Sequence, residues 1–266
     1  MCGQAGVIFG SRRRTREEMD YLTWVFTRLL ELSEERGSHA TGIAWVNREG
    51  KHRLFKRPVP ASEFVRDKAF GEALGDVDNS VTVLMGHTRF VTCGNAAINE
   101  NNHPLRTGNC LVTHNGTILN ADYLFHRFRF GRHAEVDSEI IGRIADASIV
   151  DGRIEMKALR DRLALCRGQM SAVIVAKSDP GTVIIVKGNR PLELMYHPVF
   201  RVLVYASDAN YLRSVQTDVP GWIVLPTKPM HMLVFRADDL SQFERLPFHF
   251  VAQKTRPAVP KGGVSV

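Results

Sequence analysis

The stretch Cys2-Gly3-Gln4-Ala5-Gly6-Val7-Ile8-Phe9 follows the first methionine directly and decides how the chain is interpreted. Its apolar residues predict a buried β-strand over Gly3–Phe9. No positively charged region precedes this strand, and the apolar run is too short for the hydrophobic region of a secretory signal peptide. The sequence therefore predicts a strand with a thiol at its start, where a rigid element can hold it in place.

A cysteine at position 2 has a specific chemical consequence. If Met1 is removed, Cys2 carries both a thiol and a free α-amine. Such an amine has a reference pKa of about 7.7–8.0, so a useful fraction is unprotonated at neutral pH and can take the thiol proton without a histidine. The alternative is an ordinary second residue, because a cysteine by itself is weak evidence of a nucleophile.

Length and composition bound the class of protein. The chain has 266 residues, of which 44% are hydrophobic and 24% charged. This balance is typical of globular domains and excludes a disordered chain, a collagen and a coiled coil. The longest apolar runs, such as Met170–Ala176, are much shorter than the roughly 18 residues of a membrane-spanning helix. The length suits one large domain or two small ones, and we expect no membrane span.

Cysteine usage and charge bear on compartment, cofactors and partners. The four cysteines are scattered and form no Cys-x-x-Cys pair, which argues against a zinc site or disulfides and for a reducing, cytoplasmic compartment. No cluster has metal-ligand spacing, so neither a metal nor another cofactor is predicted. The net charge is +7, but no recognised nucleic-acid motif surrounds the basic clusters. The charge fits either an ordinary basic surface or a docking surface for an acidic partner protein.

Hydrophobic periodicity predicts the order of helices and strands. The predicted helices are Thr15–Glu35, Ser62–Leu74, Asn120–Phe128, Ser138–Ala147 and Ile154–Cys166. The predicted strands after the first are Gly42–Val46, His52–Lys56, Val81–Met85, Cys110–Thr113, Ser171–Lys177, Thr182–Lys187, Leu192–Tyr196, Arg201–Ala206, Trp222–Leu225 and Met230–Phe235. A loop rich in Gly, Asn and Thr is expected over Thr92–Gly108. Short strands in succession with a few helices between them favour antiparallel sheets covered by helices, the α+β class.

Short motifs follow Cys2 in a defined order. They are Arg36-Gly37-Ser38-His39-Ala40-Thr41-Gly42, Gly86-His87-Thr88-Arg89-Phe90-Val91-Thr92-Cys93-Gly94, Asn101-Asn102-His103-Pro104, His114-Asn115-Gly116, Asp137-Ser138-Glu139, Arg167-Gly168, Gly188-Asn189-Arg190-Pro191-Leu192 and Ala206-Ser207-Asp208. Each is weak alone. Together they resemble the class II glutamine amidotransferase domain of the N-terminal-nucleophile hydrolases, above all the glutaminase domain of glutamine–fructose-6-phosphate aminotransferase. The resemblance extends from Cys2 to about Val234.

The resemblance implies a fold and a domain organisation. The fold of this family is a four-layer αββα sandwich of two antiparallel sheets, which agrees with the predicted strands and helices. We predict one glutaminase domain over residues 1–248. Residues 249–266 contain prolines, basic residues and Gly262-Gly263 with little apolar periodicity, so a flexible basic tail is expected there.

The resemblance assigns the catalytic steps to Cys2, Asn115 and Gly116. Cys2 would attack the side-chain amide carbon of L-glutamine, while its α-amine acts as base and then protonates the leaving ammonia. Water would hydrolyse the resulting thioester to glutamate. The side-chain amide of Asn115 and the backbone N–H of Gly116 would donate to the oxyanion. Without this context, the Asn-Gly pair would be interpreted as a type I′ turn.

The resemblance also implies a substrate site that binds both ends of the amino acid. Arg89 would bind the α-carboxylate through two parallel hydrogen bonds, and Asp137 would bind the α-ammonium. The alternatives are a surface or structural role for Arg89 and a helix N-cap role for Asp137, which is compatible with ammonium binding. Thr92 and Gly94 belong to the loop that closes over the substrate.

Supporting roles follow for three further residues. Arg36 matches an arginine that holds the surroundings of the nucleophile; the alternative is a cation at a helix C-terminus. His87 and His103 are expected to be structural hydrogen-bonding residues rather than bases, because the α-amine already fills that role. Phe90 departs from the Trp or Tyr that is usual at its position, and Cys93 is expected to be a bystander thiol.

The sequence contains no evident acceptor for the ammonia. Residues 235–266 are too few for an acceptor-binding domain, so we expect a stand-alone glutaminase that passes ammonia to a separate synthase. The oligomeric state is left open. Two alternatives are kept. An N-terminal-cysteine acylase would need neither Arg89 nor Asp137, and a catalytically retired regulatory or nucleic-acid-binding protein would not need to retain Cys2 with Asn115.

Overall fold

Residues 1–216 and 219–253 are described by the structure, a computed structural model. The strands are β1 Gly3–Phe9, β2 Ala40–Asn47, β3 His52–Arg57, β4 Val81–Arg89, β5 Leu105–Thr107, β6 Cys110–Ile118, β7 Ile149–Val150, β8 Arg153–Ile154, β9 Arg167–Ala176, β10 Asp179–Lys187, β11 Glu193–His197, β12 Val202–Ala206, β13 Ile223–Leu225, β14 His231–Arg236, β15 Asp239–Pro247 and β16 Val251–Ala252. The helices are α1 Arg16–Leu32, α2 Ala61–Phe64, α3 Lys68–Gly75, α4 Ala121–Phe128, α5 Glu139–Asp146, α6 Met156–Leu163 and α7 Ala209–Ser214.

The strands form two large sheets and one small one. The first sheet has the order β13-β11-β12-β1-β4-β2-β3, with all neighbours antiparallel. The second has the antiparallel order β15-β14-β10-β9-β6-β5, and β16 pairs with β9 in parallel. Strands β7 and β8 pair with each other. The strand that follows Cys2 thus lies near the middle of one sheet, and the strand that carries Asn115 lies in the other.

Side chains of β1 point alternately to the two faces of its sheet, and this shows how the layers are arranged. Val7 and Phe9 pack against Leu22 and Phe26 of α1 in one apolar cluster, whereas Ile8 belongs to a second cluster between the two sheets. A third cluster joins the second sheet to α4, α5 and α6. The order of layers is therefore helices, sheet, sheet, helices. This confirms the predicted α+β class and the four-layer αββα sandwich of the N-terminal-nucleophile hydrolases.

The 3₁₀ turn that follows the first helix places Arg36 beside Cys2. A capping box begins α1, with Glu18 N donating to Thr15 Oγ1 at 3.3 Å and Thr15 N donating to Glu18 Oε2 at 2.9 Å. The predicted helix Thr15–Glu35 divides into α1 and a 3₁₀ turn over Ser33–Arg36. That tighter turn brings Arg36 to the start of β1.

Several other elements differ from prediction. The expected helix over residues 62–74 is two short helices, and Asp67 caps the second by accepting from Ala69 N at 2.8 Å. The expected loop over residues 92–108 contains a 3₁₀ turn, Asn99–Asn101, and the short strand β5. Strands β7, β8, β15 and β16 and helix α7 were not predicted.

The predicted tail over residues 249–266 is only partly covered by the structure. Val251 and Ala252 form β16 and pair with Arg167 and Gly168 of β9. Residues 254–266 of the predicted tail lie outside the described residues. Within the described ranges, no helix is long and apolar enough to cross a membrane.

Candidate active site

Cys2 lies directly before β1, beside the backbone of Phe90. Phe90 N donates to Cys2 Sγ at 3.3 Å, and Sγ lies 3.5 Å from Phe90 O. Arg36 Nε donates to the backbone oxygen of Cys2 at 3.0 Å. Burial raises the pKa of the Cys2 thiol, while the Phe90 N–H acts in the opposite direction. A thiol in these surroundings needs a base to become a nucleophile.

The surroundings of the chain terminus favour a neutral amine. Met1 precedes Cys2 in the structure, so the Cys2 nitrogen is a peptide amide. Met1, Cys2, Arg36 and Arg190 line one cavity of about 70 Å³, and Arg190 Nη1 lies 3.5 Å from Met1 Sδ. Burial lowers the pKa of the Met1 α-amine, and both arginines act in the same direction. An amine exposed here by removal of Met1 meets the same cations.

Asn115 and Gly116 line the same cavity as Cys2. Asn115 Nδ2 donates to Ser207 Oγ at 2.8 Å. Gly116 has φ = 142°, and a Cβ built on it would lie 1.9 Å from Gln169 O, so only glycine fits. The interpretation of this pair as a type I′ turn is wrong, because both residues lie within β6 and pair with β9.

Arg89 is buried at the end of β4, with 3% of its surface exposed. Its Nη1 donates to Asn102 Oδ1 at 2.7 Å, and its Nη2 donates to Gly94 O at 3.1 Å and also to Cys93 O. All three acceptors belong to the loop that follows β4. A surface role is therefore wrong for Arg89, and carboxylate binding stays a prediction.

Asp137 is placed at a larger cavity of about 780 Å³. Its carboxylate accepts from Ile118 N, and the N-cap of α5 is Ser138, so the N-cap interpretation of Asp137 is wrong. Thr92 and Thr117 line both this cavity and the cavity at Cys2. The two cavities therefore adjoin, with a carboxylate in one and the thiol in the other.

Gly94 holds the loop between these cavities in a tight turn. Its φ is 72°, in the left-handed region that favours glycine. A Cβ there would lie 3.1 Å from the side chain of Asn101, whose Nδ2 donates to Glu135 Oε2 at 2.7 Å. The loop that carries Thr92 and Gly94 is thus fastened to the segment before Asp137. Thr92 lines both cavities and Gly94 lines neither, so a role of this loop in closing over the substrate stays a prediction.

His87 and His103 stack in the interior, with ring centroids 4.3 Å apart. Burial lowers the pKa of His87 to about 3 and holds the pKa of His103 well below its usual value. His87 Nε2 contacts His114 O at 3.1 Å. Both imidazoles are neutral at pH 7. Among the described residues neither ring nitrogen of His103 has a hydrogen-bond partner, so the predicted hydrogen-bonding role is seen for His87 Nε2 alone.

Comparison with known proteins gives relatives that match most of the chain. No family model matches. The glutamine–fructose-6-phosphate aminotransferase of Geobacillus kaustophilus is 29% identical over 197 residues, covering 72% of this chain and 31% of that protein. The aminotransferase of Streptococcus mutans is 26% identical over 196 residues, covering 72% and 30%. A 7-cyano-7-deazaguanine synthase of Sulfolobus acidocaldarius is 23% identical over 264 residues, covering 99% and 54%.

Solved structures share the fold. The glutamine phosphoribosylpyrophosphate amidotransferase of B. subtilis superimposes with a TM-score of 0.68 at 20% identity, over 93% of this chain and 49% of that one. An allosteric regulatory enzyme of purine biosynthesis superimposes with a TM-score of 0.69 at 21% identity, with the same coverage. The chain is thus similar in sequence to glutamine-dependent aminotransferases and in fold to glutamine amidotransferases. It spans about a third of the length of the aminotransferases and about half of the length of the synthase.

No role was assigned from the sequence to three residues that the fold brings to the candidate site. Arg190 lines the cavity at Cys2, Ser207 contacts Asn115, and Asn102 contacts Arg89. All three residues lie in the short motifs on which the resemblance rests. Membership in these motifs was the sequence signal that could have identified them. Their roles depend on strand pairing across two sheets, which a linear motif does not show.

Across residues 1–216 and 219–253, no group of three or more His, Cys, Asp or Glu side chains could hold a metal ion. The groups that line the candidate site are the Cys2 thiol, the Asn115 amide and the charged side chains of Arg36, Arg190 and Asp137.

Proposed function

We propose that this protein hydrolyses the side-chain amide of L-glutamine through a Cys2 thioester, giving glutamate and ammonia. The observation that carries the proposal is the shared cavity of Cys2, Asn115 and Gly116 beside the cavity of Asp137. A nucleophile, two oxyanion donors and an ammonium-binding carboxylate are the groups that this reaction needs. The aminotransferase relatives support the same activity.

The reaction begins with removal of Met1, which frees the α-amine of Cys2. That amine takes the thiol proton, and Sγ attacks the amide carbon of glutamine. Asn115 Nδ2 and the N–H of Gly116 donate to the oxyanion that forms. The amine then returns a proton to the leaving nitrogen, the C–N bond breaks and ammonia departs. Water attacks the thioester, the C–S bond breaks, and glutamate leaves with the thiol restored.

Substrate choice depends on the two ends of free glutamine. Asp137 offers a carboxylate to the α-ammonium, and Arg89 offers a guanidinium to the α-carboxylate. Arg89 is held by loop oxygens, so we propose that binding of glutamine exchanges some of these contacts for the carboxylate. An acyl substrate without these charges gains from neither residue, which argues against the acylase alternative.

The test combines mass, kinetics and labelling. We expect the purified protein to lack Met1 by intact mass and to release glutamate from glutamine. Cys2→Ala should abolish this release yet still bind glutamine in calorimetry, which separates chemistry from binding. A diazoketone analogue of glutamine should label Cys2 rather than Cys93, the exposed thiol of the adjoining cavity. Full activity with Met1 retained, or in Cys2→Ala, would refute the proposal.

We propose further that the ammonia is passed to an acceptor on a separate protein. Support comes from the relatives named glutamine–fructose-6-phosphate aminotransferases, whose name describes the use of glutamine to aminate an acceptor. Affinity purification of the native protein should recover an ammonia-consuming synthase that raises glutamate release when added back. If the intact mass of the native polypeptide included a fused acceptor domain, the proposal of a separate acceptor protein would be overturned. The proposed glutaminase activity would be unaffected.

A further inference from the structure

Ser207 follows β12 and lies between the nucleophile strand and Asn115. It is fully buried, and its Oγ accepts from Gln4 N at 2.7 Å and from Asn115 Nδ2 at 2.8 Å. The same hydroxyl lies 3.4 Å from Gln4 O, to which it donates, and Ser207 N also donates to Gln4 O at 2.9 Å. A hydroxyl has one proton and two acceptor positions, so every hydrogen-bonding position of this side chain is used.

These contacts cross from one sheet to the other. Gln4 in β1 and Ser207 after β12 belong to the first sheet, and Asn115 in β6 belongs to the second. The nucleophile and the amide donor are therefore carried by different sheets. Their separation depends on side chains that bridge the gap between the sheets, and Ser207 is bonded to both sides.

The Ser207 hydroxyl also fixes the orientation of the Asn115 side-chain amide. Because Ser207 Oγ gives its only proton to Gln4 O, it can only accept from Asn115. A flipped amide would place Oδ1 against another oxygen that has no proton left to donate. Asn115 Oδ1 has no hydrogen bond of ordinary geometry among the described residues, although the Asn115 side chain is close enough to His87 to raise the pKa of that ring. The contact with Ser207 is the hydrogen bond of ordinary geometry that sets the orientation of the amide.

We propose that Ser207 is a positioning residue that holds the NH₂ group of Asn115 as oxyanion donor. Nδ2 carries two protons: one is bonded to Ser207, and the second is free to meet the oxyanion. This inference rests on the proposed glutaminase function. Oxyanion donors act only when the transition state forms, so the role concerns kcat rather than glutamine binding.

The same buried network supplies a matched control. Gln4 Nε2 donates to Ser171 O at 3.1 Å and to Ser171 Oγ at 3.2 Å, and Gln4 Oε1 accepts from Thr113 Oγ1 at 2.7 Å. Ser171 is as buried as Ser207, but its hydroxyl bonds to Gln4 and not to Asn115. Ser171→Ala removes a hydroxyl from the same network and leaves Gln4 Nε2 its bond to Ser171 O.

The kinetic test compares these two serines. We expect Ser207→Ala to lower kcat by about 10- to 100-fold with KM changed less than about threefold, and Ser171→Ala to change kcat less than about threefold. In an Asn115→Ala background, Ser207→Ala should add less than about a twofold loss, because its effect passes through Asn115. Equal losses in the two serine variants, or an unchanged kcat in Ser207→Ala, would overturn the proposal.

A second measurement does not require activity. With asparagine labelled by ¹⁵N, the side-chain NH₂ of Asn115 should give a pair of resonances protected from exchange, lost or shifted in Ser207→Ala and kept in Ser171→Ala. If the wild-type protein hydrolyses no glutamine, the proposed function fails. The NMR experiment still shows whether Ser207 holds the Asn115 side-chain amide. Should Ser207→Ala not fold, Ser207→Cys takes its place, since a thiol accepts hydrogen bonds weakly. An unchanged Asn115 signal would contradict the proposal.

Discussion

Arg89 Nη1 donates to Asn102 Oδ1 at 2.7 Å, so the arginine expected to bind the substrate carboxylate is held by a buried asparagine. Asn102 is in turn fixed from two sides. Its Nδ2 donates to Ala96 O at 2.7 Å, and its backbone oxygen accepts from Lys56 Nζ at 2.8 Å. Through its side chain and its backbone oxygen, Asn102 thus links the loop over the cavity, strand β3 and the guanidinium of Arg89.

Replacing Asn102 tests whether this link serves substrate binding. Asn102→Ala leaves a buried guanidinium N–H without its acceptor, and hydrogen bonds to charged groups contribute about 1.5–3 kcal/mol. We expect KM for glutamine to rise by about tenfold, with kcat changed less than about threefold, in steady-state glutaminase assays. Asn99→Ala is the control, because Asn99 Oδ1 accepts from Asn102 Nδ2 at 3.3 Å on the same loop. An equal rise of KM in both variants would assign the effect to the loop as a whole.

Removing the charge of Asp137 tests the ammonium site. Asp137→Asn keeps an oxygen that can accept from Ile118 N, so the local structure should persist while the charge is lost. A lost charge-assisted contact of about 1.5–3 kcal/mol corresponds to a rise of about 10- to 100-fold in KM for glutamine. Kinetics on free glutamine measure this rise.

The matched control for Asp137 is another carboxylate of the same cavity. Asp122 lines that cavity but is paired with Arg132 Nη1 at 2.5 Å. Asp122→Asn should leave KM within about twofold of wild type. If both variants raise KM alike, the cavity attracts the substrate by its general charge, and Asp137 has no specific role.

Much of the fold could be predicted because its apolar patterns are strong. β1 has the predicted bounds, since every residue over Gly3–Phe9 is buried. β15, over Asp239–Pro247, was missed because it is an edge strand whose side chains are mostly exposed, so its sequence lacks a continuous apolar face. The division of the helix predicted over residues 62–74 depends on a cap at Asp67, which periodicity does not show.

The sequence predicted individual residues of the candidate site, but not the hydrogen bonds that join them. Cys2, Asn115 and Gly116 stand in motifs, and the structure brings them to one cavity. That Ser207 joins them could not be foreseen, because β12 pairs with β1 across about 200 residues of chain and the contact then crosses to the other sheet. The N-cap at Asp137 was wrong by one position because α5 begins after Ser138.

Buried histidines predict a loss of stability in acid. His87 has a pKa of about 3 in the folded protein because of burial, against about 6.5 in the unfolded chain, and the pKa of His103 is lowered in the same direction. Between these values the unfolded state binds more protons, so the free energy of unfolding falls as the pH drops below about 6.5, by up to about 1.4 kcal/mol per pH unit for each histidine.

Urea unfolding at about pH 7.5 and about pH 5.5 measures this loss. His87→Gln, which cannot titrate in this range, should be less stable than wild type at the higher pH and should show a weaker dependence on pH. The same free energy of unfolding at both pH values in wild type would show that these rings are not held neutral by the fold.

Gly116 tests how closely the backbone must approach the site. A Cβ there would lie 1.9 Å from Gln169 O, and the φ of 142° is strained for any other residue, so Gly116→Ala must shift β6 against β9. We expect kcat to fall by more than about 100-fold, because both oxyanion donors stand on this strand, and the melting temperature to fall as well. Gly181→Ala is the control, since a Cβ at Gly181 meets nothing within 4 Å. Thermal unfolding measures the melting temperature of both variants, and glutaminase assays measure their kcat. An active Gly116→Ala enzyme would show that the Gly116 backbone N–H is not an oxyanion donor.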